Sequence, residues 1–128
     1  MRFARIVFFV AGVYGLLVLL PQYFLEEKTG HLYPPAITHP EYYYGFIGVA
    51  VAWQILFLLV AKDPARYRAM MIPAIIEKAS YGVATAVLYA QERVAAVVLV
   101  SGIIDLILGA LFVVAYLKTS DFNESAGE

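Results

Sequence analysis

The sequence predicts an all-α fold, an integral membrane four-helix bundle running up-down-up-down, and three observations predict it. The 128 residues are 62% hydrophobic, with a mean hydropathy of +0.77. Only 15% are charged, which is too little polar surface to cover a water-soluble globule. Four apolar stretches each approach the ~20 residues that a helix needs to cross a hydrocarbon core roughly 30 Å thick.

The first stretch covers residues 3–20, behind Arg2 and Arg5. It resembles a signal peptide in outline, but Leu19, Leu20, Pro21, Gln22 and Tyr23 stand where a small-x-small cleavage site would be, so it is expected to remain as a mature helix. The other stretches are residues 43–61, 69–90 and 94–117. Little chain is left over, and residues 1–128 are expected to form a single four-helix domain. The connections are about twenty, seven and three residues long as hydropathy divides the chain. Short links predict antiparallel neighbours: a tight hairpin of the third and fourth spans through Gln91–Arg93, and a slightly looser one of the second and third through Lys62–Arg68. The long connection leaves the neighbour of the first span open.

Arg2, Arg5, Lys62, Arg66, Arg68 and Lys118 fall on one side, against Lys28 and Arg93 on the other. Short cytoplasmic loops are enriched in Lys and Arg, so both termini are expected in the cytoplasm. Arg66, Tyr67 and Arg68 are placed to meet anionic headgroups, although a basic cytoplasmic loop is the default in any membrane protein. The outer connection, residues 21–42, carries Pro34, Pro35 and Pro40 among Tyr23, Tyr33, Tyr42, Tyr43 and Tyr44. Its aromatics favour the headgroup layer, and its prolines argue against a regular helix there. Pro40 and Glu41 suit a helix start, the carboxylate facing the positive end of the helix dipole. Residues 119–128 read as a short, acidic, disordered tail.

Small residues mark where backbones approach in lipid. Gly12 with Gly15, Gly45 with Gly48 and Ala52, and Ser101, Gly102 and Gly109 supply such faces. On the last span Ser101, Asp105, Gly109, Phe112 and Tyr116 recur at helical spacing, which turns Asp105 toward protein.

Function is expected where ionisable groups lie inside the spans. Each costs roughly 2.5–3.5 kcal/mol at the membrane centre on insertion scales, and so normally has a partner, an aqueous cavity or a role. Glu77, Lys78 and Asp105 are such groups. At 1.5 Å rise per residue, Gln54, Glu77, Lys78, Tyr14 and Asp105 lie about 10 to 18 Å from the cytoplasmic ends, in one layer. The simplest arrangement pairs Lys78 with Asp105. Neighbours on a helix stand about 100° apart, so Glu77 is expected to turn elsewhere, to Gln54, Tyr14, Trp53 or a ligand. The candidate polar core or ligand site is therefore Tyr14, Trp53, Gln54, Glu77, Lys78, Tyr81 and Asp105. This layer reads either as a satisfied polar layer setting the bundle's register, as a pocket for a hydrophobic molecule's head group or a proton relay, or as an oligomer contact.

Other chemistries find no motif. The chain has no cysteine, which removes disulfides, thiolate catalysis and cysteine-bound metals. His31 and His39 with Glu26, Glu27 and Glu41 lack metal-ligand spacing on one helical face, so no metal is expected; a heme between two spans is unsupported, because both histidines belong to the same outer connection. No catalytic serine set, nucleophile elbow, P-loop or dinucleotide fingerprint occurs, and no cofactor is expected. The net charge of -1 and scattered basic residues give no sign of nucleic-acid binding.

The opening Arg-Phe run, the glycines of the first span and the polar fourth span together resemble the DoxX-like group of small bacterial membrane proteins. That resemblance implies a multi-pass protein of the bacterial inner (plasma) membrane, in some members a subunit associated with redox partners. The chain's size is similar to that of small multidrug exporters, but those carry an essential glutamate in the first helix, where this chain has Tyr14 and no carboxylate. Sterol-isomerase-like bundles offer a third comparison, in which Glu77, Asp105, Trp53 and Tyr81 would stand for the acids and aromatics of a ligand cavity. The leading expectation is a non-enzymatic membrane protein that binds a lipid-like or quinone-like molecule, or serves as a subunit of a larger membrane complex. The alternative is a proton-coupled transporter working as a homodimer, or a membrane isomerase using Glu77 or Asp105 as acid or base.

Overall fold

The apolar runs fold as helices whose ends fall within three residues of the expected limits. The computed structural model describes residues 2–119. Helix α1 (Arg2–Leu19) runs into a 3-10 turn, Leu20–Phe24, and is followed by a short α2 (Glu26–Leu32), α3 (Pro40–Lys62), a second 3-10 turn (Arg68–Met70), α4 (Met71–Ala90) and α5 (Ala96–Lys118). The fold is all-α. With their adjoining turns, α1, α3, α4 and α5 each make a span of 23 residues. At 1.5 Å per residue these reach about 35 Å, enough to cross a bilayer. Their outward faces are apolar: Leu17, Val49, Ile76 and Leu117 are all more than half exposed, and only 17% of the α5 span is buried inside the bundle. Such faces need lipid as solvent, and the chain is a multi-pass membrane protein. The disordered tail expected over residues 119–128 lies outside the described residues, apart from Thr119, whose hydroxyl donates to the Ala115 carbonyl at 2.7 Å.

Two expectations about connectivity are corrected. Helix α3 barely touches α4 despite their short link; α3 packs along α1, α4 packs along α5, and α1 joins the two pairs through α5. Link length brings two ends together but does not press helices together along their length, and in lipid that is decided by small residues. A Cβ on Gly12 would stand 2.8 Å from the Leu58 side chain, and one on Gly15 would collide with the Gln54 side chain, so α1 needs both glycines to reach α3. On the other pair, a Cβ on Gly82 would collide with Leu106, one on Gly102 with Thr85, and one on Gly109 would lie 3.2 Å from the Lys78 Cβ. Gly45 meets nothing within 4 Å and Ala52 is exposed, so the expected face on α3 meets protein only at Gly48, where a Cβ would lie 3.4 Å from the Tyr23 hydroxyl.

The second correction concerns the long connection, which contains α2 where no regular helix was expected. Glu26–Leu32 precedes the prolines, so their missing N–H groups and fixed φ do not interrupt it. The connection is pinned to the start of α3: the Tyr43 hydroxyl donates to the Gln22 carbonyl at 2.7 Å, and the Tyr44 hydroxyl donates to Glu26 Oε2 at 2.8 Å. Pro40 opens α3 as its sequence suggests, with His39 Nδ1 3.3 Å from Glu41 Oε1.

The apolar core lies toward the side that carries the 62–68 link. Phe8, Phe57 and Phe112 are fully buried there, Phe8 stacked on Phe112 with ring centres 4.1 Å apart and Phe57 edge-on to both. Ala4, Ala11, Met71, Ala74 and Ala115 fill the spaces around them. On the same side the Arg68 guanidinium lies 3.7 Å from the centre of the Tyr116 ring, and its Nε donates to the Tyr116 carbonyl at 3.2 Å. Arg68 is thus turned onto α5, and Lys62 and Arg66 are left as the exposed cations of this link.

Candidate functional site

The aromatic layer fills only one half of the bundle. Above it, toward the long connection, the four spans enclose a half-open cavity of about 200 Å³. Its position follows from helix geometry. On α1 and α3 the small residues Gly15 and Ala50 line it, Gly15 with the Gln54 side chain packed against its backbone, and the polar faces of α4 and α5 turn into it. Tyr14, Gln54, Glu77, Lys78, Tyr81 and Asp105, six of the seven residues singled out from sequence, line this one cavity. Trp53 does not. It lines an adjoining groove of about 270 Å³ on the loose α3–α4 seam, together with Val49 and Ser80. Phe46, Ala50, Glu77 and Tyr81 border both spaces.

Lys78 is the centre of the site. Its side chain is 4% exposed, and its Nζ lies 3.3 Å from Asp105 Oδ1 and 3.8 Å from Glu77 Oε2. The Lys78–Asp105 pair expected from sequence is present. The expectation that Glu77 turns away is corrected, because the flexible four-carbon lysine stem brings one ammonium within reach of both carboxyls. The same ammonium stands 5.2 Å from the Phe57 ring centre, so it also rests against the aromatic layer.

Two acceptors at this site have no hydrogen-bond partner among the described residues. Glu77 Oε2 is buried, and at 3.8 Å from Lys78 it has Coulombic attraction but no hydrogen bond. The other is Gln54 Oε1. Its residue is 2% exposed, and its amide nitrogen already donates to the Ala50 carbonyl at 2.9 Å, which leaves the oxygen as a free acceptor beside Gly15. Buried polar atoms without partners cost about 1–3 kcal/mol each, and native proteins keep few of them. Elsewhere on the wall Ser101 Oγ donates to the Val98 carbonyl at 2.6 Å, so its contact of 2.8 Å with Tyr81 is a bond that the tyrosine hydroxyl donates.

Sequence reasoning missed Phe46, which stacks against Tyr81 with ring centres 6.4 Å apart, and Val18, Leu19 and Gln22 at the loop end of the cavity. Ser101 and Gly15 carried a signal, as members of small-residue faces; Phe46 carried none, since one aromatic among many has no distinguishing pattern. The histidines stay outside the cavity, His31 3.9 Å from Glu27 and His39 beside Glu41. Comparison with protein-family models, with curated proteins and with solved structures gives no match to this chain.

Proposed function

We propose that this protein binds a membrane-dissolved amphiphile, lipid-like or quinone-like, with the head group in the polar cavity and the apolar body in the α3–α4 groove. The observation that carries this reading is the pair of partnerless buried acceptors, Gln54 Oε1 and Glu77 Oε2, on two residues that line a cavity adjoining a groove on the lipid-facing surface. A layer serving only to set register would satisfy its own polar atoms. Size supports the division of the ligand. Pockets for drug-sized molecules measure roughly 300–1,000 Å³, so about 200 Å³ accommodates a head group and leaves the remainder to the groove. Lateral access suits a molecule that arrives through the bilayer. The excess of Lys and Arg on the side of the termini orients that side to the cytoplasm in this reading, in a plasma or inner membrane.

A photoreactive amphiphile with a diazirine in its tail tests this directly in membranes. Adducts mapped to Phe46, Val49, Trp53 and Ser80 support the reading. Labelling spread evenly over lipid-facing positions such as Leu17 and Leu117 would reject it.

A second reading makes the site catalytic. The cavity reaches both Glu77 and Asp105, and the free Glu77 Oε2 is available to take or give a proton, as an isomerase requires. Under that reading Glu77→Gln retains ligand and loses turnover; under simple binding no turnover of the captured molecule is observed in either protein.

A further inference from the structure

We infer that the head group taken by this cavity is a primary ammonium, and that the ligand class is therefore an amphiphilic amine. This rests on the amphiphile reading above and narrows it. Both atoms left open are acceptors: one an amide oxygen, the other a carboxyl oxygen, both buried. A bare carbonyl head, as in a quinone, brings further acceptors and leaves both unpaired. A hydroxyl brings one donor for two acceptors. An ammonium brings three N–H donors.

Charge points the same way. Two carboxyls, Glu77 and Asp105, face one ammonium, and Lys78 is committed to Asp105 at 3.3 Å and stands further from Glu77. A second ammonium beside Glu77 Oε2 brings the site to electrical balance in a medium where an uncompensated charge is costly. A phosphate or carboxylate head meets the opposite situation, since Lys78, the only cation among the described residues that lines the cavity, is already engaged. The Phe46–Tyr81 pair between cavity and groove adds aromatic surface next to the path of a cation.

The sole tryptophan reports on the adjoining groove. Full-length protein in nanodiscs of zwitterionic lipid is titrated with dodecylamine, dodecanol and dodecanoic acid, each brominated at the tail end, and quenching of Trp53 is followed. The amine is expected to quench saturably, to be displaced by plain dodecylamine, and to bind at least about tenfold more tightly than the alcohol or the acid, as a charge-assisted hydrogen bond implies. Glu77→Gln is expected to weaken the amine about tenfold and to leave the alcohol nearly unchanged. Alcohol or acid binding as tightly as the amine in the unsubstituted protein overturns the ammonium assignment and leaves the amphiphile reading standing. Absence of saturable quenching by all three overturns both.

Discussion

Lys78→Met removes the one ammonium that serves two carboxyls while keeping a stem of similar length. The Lys78 side chain is 4% exposed, the Asp105 side chain 13% and the Glu77 side chain 23%, so water replaces little of what is lost. Removing one partner of a buried ion pair costs about 3–5 kcal/mol, because the remaining charge is stranded. The low end applies here, since the contact with Glu77, at 3.8 Å, is long and carries no hydrogen bond. A loss of about 3 kcal/mol is expected, roughly two orders of magnitude in the folding equilibrium. Asp105→Asn costs less, about 1–2 kcal/mol, because Lys78 keeps Glu77 at 3.8 Å. In the double variant Lys78→Met with Asp105→Asn no ionised Asp105 is stranded, and stability recovers in part relative to Lys78→Met alone. The assay is reversible unfolding in mixed micelles titrated with sodium dodecyl sulfate, followed by far-ultraviolet circular dichroism, with the four proteins forming a double-mutant cycle. Lys78→Met within about 0.5 kcal/mol of the unsubstituted protein, or a double variant no better than Lys78→Met, would refute the reasoning.

Three further outcomes are expected. Phe112→Ala empties the centre of the aromatic layer, where Phe112 is fully buried against Phe8 and Phe57, and is expected to cost about 3–5 kcal/mol in the same unfolding assay. Gly102→Ala drives a Cβ into Thr85 and is expected to destabilise the α4–α5 pair by about 1–3 kcal/mol; adding Thr85→Ala restores most of it, and a pair of variants that simply add would argue against the contact. The glycines of α1 and α3 separate by position. Gly15→Ala displaces the Gln54 side chain and is expected to reduce ligand capture, whereas Gly45→Ala meets nothing within 4 Å and is expected to be neutral or to stabilise by up to about 1 kcal/mol.

The spans were legible because length and apolarity alone decide them in a bilayer, and Pro40 and Glu41 announced the start of α3. Asp105 was legible through the small-residue stripe around it, and its pairing with Lys78 through charge. The α1–α3 and α4–α5 pairing was not. It depends on which way each glycine faces, and Gly45 and Gly15 look alike in sequence although one faces open space and the other Gln54. The sharing of Lys78 by Glu77 was hidden by an argument from backbone angle alone, which neglects how far a lysine stem can bend. Trp53 was counted with the polar layer as a possible neighbour of Glu77. Its azimuth on α3 puts it in the groove, and azimuth could not be read without knowing that α3 faces α1.

Native mass spectrometry of the protein, extracted gently from its own membrane, measures most directly whether the cavity holds a molecule. The expected result is one reproducible added mass of amphiphile size on the unsubstituted protein, lost or strongly reduced in Gly15→Ala, where the Gln54 side chain is forced into the cavity. A bare protein, or an adduct that survives that substitution undiminished, would contradict it.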